Sequence, residues 1–113
     1  MTRAPEIKKD EMYRLLREGD MEEFNKRKAA GEKPDLTHCD FRNVDLQGMD
    51  AKGLDFTNSY FRQADLRGVD FSESDMHGAS IHGAKISGVF FPPTIDPYEV
   101  FMSYQYGIRL RYK

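Results

Sequence analysis

A period of five residues constrains the fold of this chain more than any other feature of its sequence. Twelve five-residue units, here called pentads, follow one another without an insertion, from PDLTH at Pro34 to VFFPP around Phe91. The third residue is large and apolar in eleven of the twelve, and the residue before it is Asp in eight. The predicted inward-facing core centres are Leu36, Phe41, Leu46, Phe56, Phe61, Leu66, Phe71, Met76, Ile81, Ile86 and Phe91.

A pentad fits neither a straight helix nor a straight strand, because these repeat about every 3.6 and about every 2 residues. Positions two apart lie on the same side of a strand, so the first and third residues of a pentad can both face inward. Since five is odd, the next pentad would face outward unless the chain turned. The fifth residue is Gly in six pentads and Asn in two, and both suit turns. The sequence therefore predicts a chain that bends once per pentad around its own core.

The units CDFRN, VDLQG, LDFTN and ADLRG resemble the repeats of pentapeptide-repeat proteins, whose unit is A(D/N)LXX. The resemblance implies a right-handed quadrilateral β-helix with about four pentads per coil, and hence about three coils. We therefore expect an all-β solenoid core over residues 34–91, within one structural domain. Residues 1–33 would form an N-terminal helical cap. Residues 92–113 would form a short helix and strand that act as a C-terminal cap or dimerisation tail.

Capping residues set the expected helix ends in the two flanking segments. Gly19 is expected to end a first helix, and Asp20 to begin a second one. Asp96, followed by a proline, predicts a third helix that ends at Gly107. Alternating apolar and basic side chains over residues 108–113 then predict a strand-like tail.

The overall composition excludes several classes of protein. The chain has 113 residues, a formal net charge of -2 and a mean hydropathy of -0.72. We expect no direct nucleic-acid binding, because such proteins usually show a basic excess, and no membrane association, because no apolar run is long enough. The start MTRAPEIKKDEMYRLL lacks the apolar stretch of a secretory signal, and the single cysteine cannot form an internal disulfide. A cytoplasmic location is therefore expected.

Residues twenty apart are expected to stack, which defines two candidate surfaces on the repeat. One is an acidic ladder of Asp35, Asp55 and Asp75. The other is a basic and aromatic stripe, a candidate partner-binding site, made of Arg42, Tyr60, Arg62 and His82. The alternative interpretation is a solvated surface on which Asp and Arg side chains compensate each other locally.

A third candidate surface is aromatic and comes mainly from the C-terminal segment. Its members are Phe90, Tyr98, Phe101, Tyr104, Tyr106 and Tyr112. These side chains either fold back on the last coil or meet a second copy of the chain, so both a monomer and a C-terminal homodimer are open.

The sequence contains no recognisable catalytic set, phosphate-binding loop or metal-ligand spacing, so we expect no enzyme activity, no cofactor and no metal site. His38, His77 and His82, together with Cys39, would not converge on one ion in the expected fold. Cys39 occupies an inward position and is predicted to be buried and inert.

Two functions follow as hypotheses. The first is a non-catalytic protein-protein interaction or scaffold module whose partner is another protein. The second is a DNA mimic that acts on a type II topoisomerase such as gyrase, which the family resemblance implies. The repeat disfavours it, because nine acidic and five basic residues leave only four net negative charges, one per about 3.6 Å of the expected coil stack. Duplex DNA carries one per about 1.7 Å.

Overall fold

The computed structural model describes residues 4–112, and within them it contains three α-helices. These are α1 (Glu11–Glu18), α2 (Met21–Ala29) and α3 (Pro97–Tyr106). Each helix begins after an Asp whose side chain accepts a hydrogen bond from a backbone amide of the first turn. Gly19 and Gly107, in the left-handed backbone conformation, end α1 and α3. These ends agree with the ones that the capping residues predict. In the described part of the chain no helix has the length and apolar character needed to cross a membrane.

The predicted all-β solenoid is wrong as the fold class. Residues 4–112 form no sheet and no strand longer than a single bridge residue, so a quadrilateral β-helix is not what the structure shows. The β-structure is limited to isolated bridges between turns. Six of them are parallel and join residues twenty apart: Asp40–Tyr60, Asp45–Asp65, Asp55–Asp75, Tyr60–Ser80, Asp65–Lys85 and Asp70–Phe90. The expected C-terminal strand is likewise one antiparallel bridge, between Ile95 and Tyr112.

Turns at the end of the pentads explain why strands do not grow. The fifth residue of ten pentads has a positive φ, between 56° and 86°, whether or not it is glycine. A left-handed residue cannot continue a strand, which needs a strongly negative φ. Each pentad therefore offers one bridge position before the chain turns again.

Backbone hydrogen bonds nevertheless connect pentads that lie about twenty residues apart. The amide of Tyr60 donates to the carbonyl of Cys39 at 2.9 Å, and the amide of Phe61 donates to the carbonyl of Ser80 at 2.7 Å. We call each twenty-residue segment a circuit. Successive circuits are thereby held in one register, with equivalent pentad positions next to each other.

Apolar side chains at the third pentad positions fill the centre of the molecule. Phe41 and Phe61, in neighbouring circuits, stack with ring centroids 5.1 Å apart. Phe71 meets Phe56 edge-on at 5.5 Å. Of the predicted core centres, nine are buried: Leu36, Phe41, Leu46, Phe56, Phe61, Leu66, Phe71, Met76 and Ile81. The last two, Ile86 and Phe91, are only half-buried.

The N-terminal helices cover the backbone edge of the first circuit. Tyr13 packs edge-on against the Phe41 ring, and its hydroxyl donates to the carbonyl of Asp40 at 2.5 Å. The Asn25 side chain donates to the carbonyl of Gly48 and accepts from the amide of Asp50, both at 2.9 Å.

The C-terminal segment covers part of the opposite edge in a similar way. The amide of Leu110 donates to the carbonyl of Ala79, and its carbonyl accepts from the amide of Gly78, both at 2.8 Å. The hydroxyl of Ser103 accepts from the amide of Ile81 at 3.1 Å. Both ends of the stacked circuits are therefore contacted by polar groups that satisfy exposed backbone atoms.

Candidate protein-binding site

The Asp residues at the second pentad positions shape the backbone as well as charging the surface. Each of the eight carboxylates accepts a hydrogen bond from the backbone amide two residues later, at 2.8–3.2 Å. They are Asp35, Asp40, Asp45, Asp50, Asp55, Asp65, Asp70 and Asp75. This bond stabilises the start of a turn. The repeated Asp is therefore a turn-forming residue, and its charge has a structural role before any functional one.

Of the three residues of the acidic ladder, only Asp55 and Asp75 are paired with each other. Asp55 and Asp75 are bridge partners, and both are exposed. Asp35 forms an ion pair with Lys8 at 2.9 Å, and hydrogen bonding to Lys8 lowers the pKa of the Asp35 carboxyl. Among residues 4–112 no group of three or more His, Cys, Asp or Glu side chains is placed to hold a metal ion.

Three of the four members of the stripe predicted from the twenty-residue spacing line a groove, and the fourth, Tyr60, does not. Arg42, Arg62 and His82 line it together with Asn43 and Gln63, around a volume of about 290 Å³. We call it the Arg–His groove. The backbone beneath it is hydrogen-bonded between circuits, because the amide of Asn43 donates to Arg62 at 3.0 Å and that of Gln63 donates to His82 at 2.8 Å. The three side chains therefore project from a backbone of fixed spacing.

The charged groups of the groove differ in their partners. Arg42 makes two hydrogen bonds to the buried carboxylate of Asp40, at 2.9 and 2.7 Å, and they lower the pKa of Asp40. Arg62 is half-buried and has no ion-pair partner among residues 4–112. Nδ1 of His82 is buried and makes no hydrogen bond within the same described range.

Tyr60, the aromatic member of the stripe, is held by a residue from the C-terminal tail. Nη2 of Arg109 donates to the Tyr60 hydroxyl at 2.8 Å, and its guanidinium lies 5.0 Å from the centroid of the Tyr60 ring. Arg109 also donates to Oδ1 of Asn58 at 3.2 Å and to the carbonyl of Gly78 at 3.0 Å. Arg109 is not among the site residues predicted from the sequence. The alternation of apolar and basic residues in the tail was the available signal, since it places Arg109 on the face opposite Leu110.

The aromatic surface is divided between the inside and the outside of the fold. Tyr112 is half-buried, its hydroxyl accepts from the amide of Met76 at 2.9 Å, and burial raises its pKa. The other members are exposed to between 38 and 65 %: Phe90, Tyr98, Phe101, Tyr104 and Tyr106. Folding back on the last circuit therefore accounts for Tyr112 and leaves the other five rings on the surface.

The cysteine and histidine residues do not form one cluster. Cys39 is buried, as predicted, and burial raises the pKa of its thiol to about 12. Nε2 of His38 lies 3.2 Å from the Asn58 amide, whereas the His77 ring lies 5.7 Å from the Tyr112 ring.

These observations define a class of protein, one built from five-residue repeats. In most repeats the second residue is an Asp that forms a turn, the third residue faces inward, and the fifth has a left-handed backbone. Residues 55–91 match the family model for pentapeptide repeats, in eight copies. This part of the chain therefore consists of pentapeptide repeats, and the resemblance is confirmed there. Proteins of this family are commonly non-catalytic protein-interaction modules. No curated protein and no solved structure matches the chain.

Proposed function

We propose that this chain is a non-catalytic protein-interaction module and that a partner protein binds at the Arg–His groove. The observation that supports this proposal is the alignment of Arg42, Arg62 and His82, from three consecutive circuits, along one groove. Their backbones are joined by hydrogen bonds, so the spacing of the three residues is set before a partner binds. Preorganisation of this kind lowers the entropic cost of association.

The chemistry of the groove also suits a protein partner. Arginine is enriched at protein interfaces, and its planar guanidinium can donate several hydrogen bonds at once. Asn43 and Gln63 are exposed at the edges of the groove and offer both donors and acceptors. Tyr60, which does not line the groove, adds an aromatic ring in the same pentad as Arg62, and Tyr is frequent among residues that dominate binding energy.

A photo-crosslinking amino acid at Gln63 tests the proposal, with the same amino acid at Gln47 as control. Both positions are exposed glutamines, but only Gln63 lines the groove. We expect the Gln63 variant to crosslink a discrete protein in an extract of the source cells. That adduct should disappear when Arg42 and Arg62 are both replaced by Gln. Equal adducts from the two positions, or none from Gln63, would contradict the proposal.

The exposed aromatic surface is compatible with two oligomeric states, a monomer and a C-terminal homodimer, and the choice between them stays a prediction. A monomer has a mass of 13.1 kDa, and a C-terminal homodimer has twice that value. Light scattering on the purified chain distinguishes them. In the dimeric case, Phe101→Ser and Tyr106→Ser should restore the monomer, because both rings are exposed and lie 6.4 Å apart on α3.

A further inference from the structure

Arginine at the fourth position of a pentad has a preferred partner in this chain. In CDFRN, Arg42 folds back on Asp40 of its own pentad, with Nε–Oδ1 at 2.9 Å and Nη2–Oδ2 at 2.7 Å. In ADLRG, Arg67 does the same to Asp65 at the same two distances. The geometry is the two-pronged arrangement in which guanidinium and carboxylate groups bind most strongly. An Asp two residues earlier thus neutralises the arginine within the pentad.

The pentad SYFRQ lacks this carboxylate, because Tyr60 stands where the other two pentads have Asp. Arg62 is left without an ion pair among the described residues, with Arg42 on one side and His82 on the other in the groove. Tyr60 cannot replace the Asp as an ion-pair partner, since its hydroxyl, which accepts from Arg109, is neutral. Among residues 4–112, Arg109 itself donates only to neutral groups.

The end of α3 lies near Arg62 without neutralising it. A Cβ on Gly107, the residue that ends α3, would lie 2.9 Å from Nη2 of Arg62, so the guanidinium is close to the helix end. The C-terminus of a helix carries about half a negative charge, which offsets part of the positive charge of Arg62. The groove therefore keeps a net positive charge in a protein whose net charge is -2.

We infer that the Arg–His groove binds a carboxylate side chain from an acidic segment of the partner protein, and that Arg62 is its two-pronged donor. This inference rests on the proposed function and names the chemistry of the partner. The groove, at about 290 Å³, accommodates an Asp or Glu side chain. The turn-forming carboxylates on the other sides of the circuits repel a long polyanion, which favours a short acidic segment over nucleic acid.

Fluorescence anisotropy with a labelled hexaglutamate peptide tests the inference. We expect saturable binding that weakens as NaCl rises from about 50 to about 300 mM, because salt screens exposed charges. Arg62→Gln should lower the affinity about tenfold. Arg67→Gln, which removes an arginine at the same pentad position outside the groove, should leave it unchanged. Equal losses in the two variants, or equal binding of a hexaglutamine peptide, would overturn the inference.

A second pair of variants keeps Arg62 and replaces Tyr60. The two variants differ only in whether residue 60 carries a carboxylate. Tyr60→Asp restores the pentad pattern of CDFRN and should turn Arg62 back onto its own pentad, with an affinity loss close to that of Arg62→Gln. Tyr60→Asn also removes the ring and its contact with Arg109 but adds no charge, so it should bind more tightly than Tyr60→Asp. Equal affinities of these two variants would overturn the role of Arg62.

Two further outcomes separate this inference from the proposed function. If Gln63 crosslinks a partner but hexaglutamate does not bind, the carboxylate site is wrong and the interaction module stands. If hexaglutamate binds with the expected variant pattern but no partner crosslinks, the carboxylate site is supported and the proposed function fails. Tighter binding of a DNA oligonucleotide of equal charge than of the peptide would overturn the choice of an acidic protein segment.

Discussion

Gly78 and Gly53 have the same left-handed backbone, with φ of 75° at each, but different surroundings. A Cβ on Gly78 would lie 2.0 Å from Oδ1 of Asn58, whereas a Cβ on Gly53 would meet nothing within 4 Å. Gly53→Ala should lower the free energy of unfolding by about 1 kcal/mol through left-handed strain alone. Gly78→Ala should lower it by about 1 kcal/mol more, because Asn58 must move and loses its hydrogen bond from Arg109. Urea denaturation measures both values, and equal losses would contradict the contact.

Substitutions of Asp55 distinguish the structural role of the repeated Asp from the role of its charge. Its Oδ1 accepts from the amide of Thr57 at 2.9 Å. Asp55→Asn keeps an oxygen in this position, so we expect only a small change in the free energy of unfolding. Asp55→Ala removes the acceptor and should cost about 1 kcal/mol. Thermal denaturation in the same buffer compares the two. If Asn is as harmful as Ala, the carboxylate acts through its charge.

Asp40 makes the stability of the protein depend on pH. Hydrogen bonding to Arg42 holds the pKa of the Asp40 carboxyl below its ordinary value. A group whose pKa is lower in the folded than in the unfolded state stabilises the fold above the unfolded pKa, and this contribution is lost as the pH falls through the folded pKa. We expect the free energy of unfolding to fall as the pH drops below about 4, and to fall less steeply in Asp40→Asn. Urea titrations at a series of pH values test this, and parallel curves for the two proteins would contradict it.

At the scale of elements, the side-chain amide of Asn25 attaches α2 to the first circuit, beside an ion pair of Lys28 with Asp50 at 3.2 Å. The Asn25 side chain donates to Gly48 and accepts from Asp50, and thus takes the place of a peptide group of a neighbouring chain segment. Asn25→Ala should lower the free energy of unfolding by about 1–2 kcal/mol, because two hydrogen bonds are lost. Lys26→Ala, at the next and exposed position of α2, is the control and should have little effect. Hydrogen exchange at the amide of Asp50 should speed up in the Asn25 variant alone.

The sequence predicted the helices better than the repeat because helix ends depend on neighbouring residues. Asp20, Asp96 and Gly107 act within one turn of their position, so their effect can be read locally. The length of a strand depends on how many consecutive residues pair, and the left-handed fifth residues limit that number to one. The family resemblance suggested the register but not this limit.

The same distinction applies to the candidate site. Arg42, Arg62 and His82 could be grouped because they are twenty residues apart and the register is regular. Arg109 could not be grouped with Tyr60, since the two are 49 residues apart and only the path of the tail brings them together. The unpaired state of Arg62 could have been noticed in the sequence, because SYFRQ is the arginine pentad without Asp.

At the scale of the whole molecule, charge and size argue against mimicry of DNA. The protein measures 35 × 29 × 22 Å. A duplex as long as its largest dimension carries about 20 phosphate charges, whereas the repeat has nine acidic and five basic residues. We expect no change in DNA supercoiling by gyrase at micromolar protein, measured by gel electrophoresis with a small-molecule gyrase inhibitor as positive control. Inhibition that follows the protein concentration would contradict this expectation.

The twenty-residue register also limits which insertions can lengthen the repeat without disturbing its surface. Arg42 and Arg62 are neighbours because one whole circuit separates them, and every surface column depends on the same count. A duplication of one pentad between them would rotate all later residues by a quarter of a circuit and place Arg62 on another side. A duplication of four pentads would insert a new member into each column and leave the existing sides aligned. Changes in length that preserve a binding surface are therefore expected to come in multiples of one circuit.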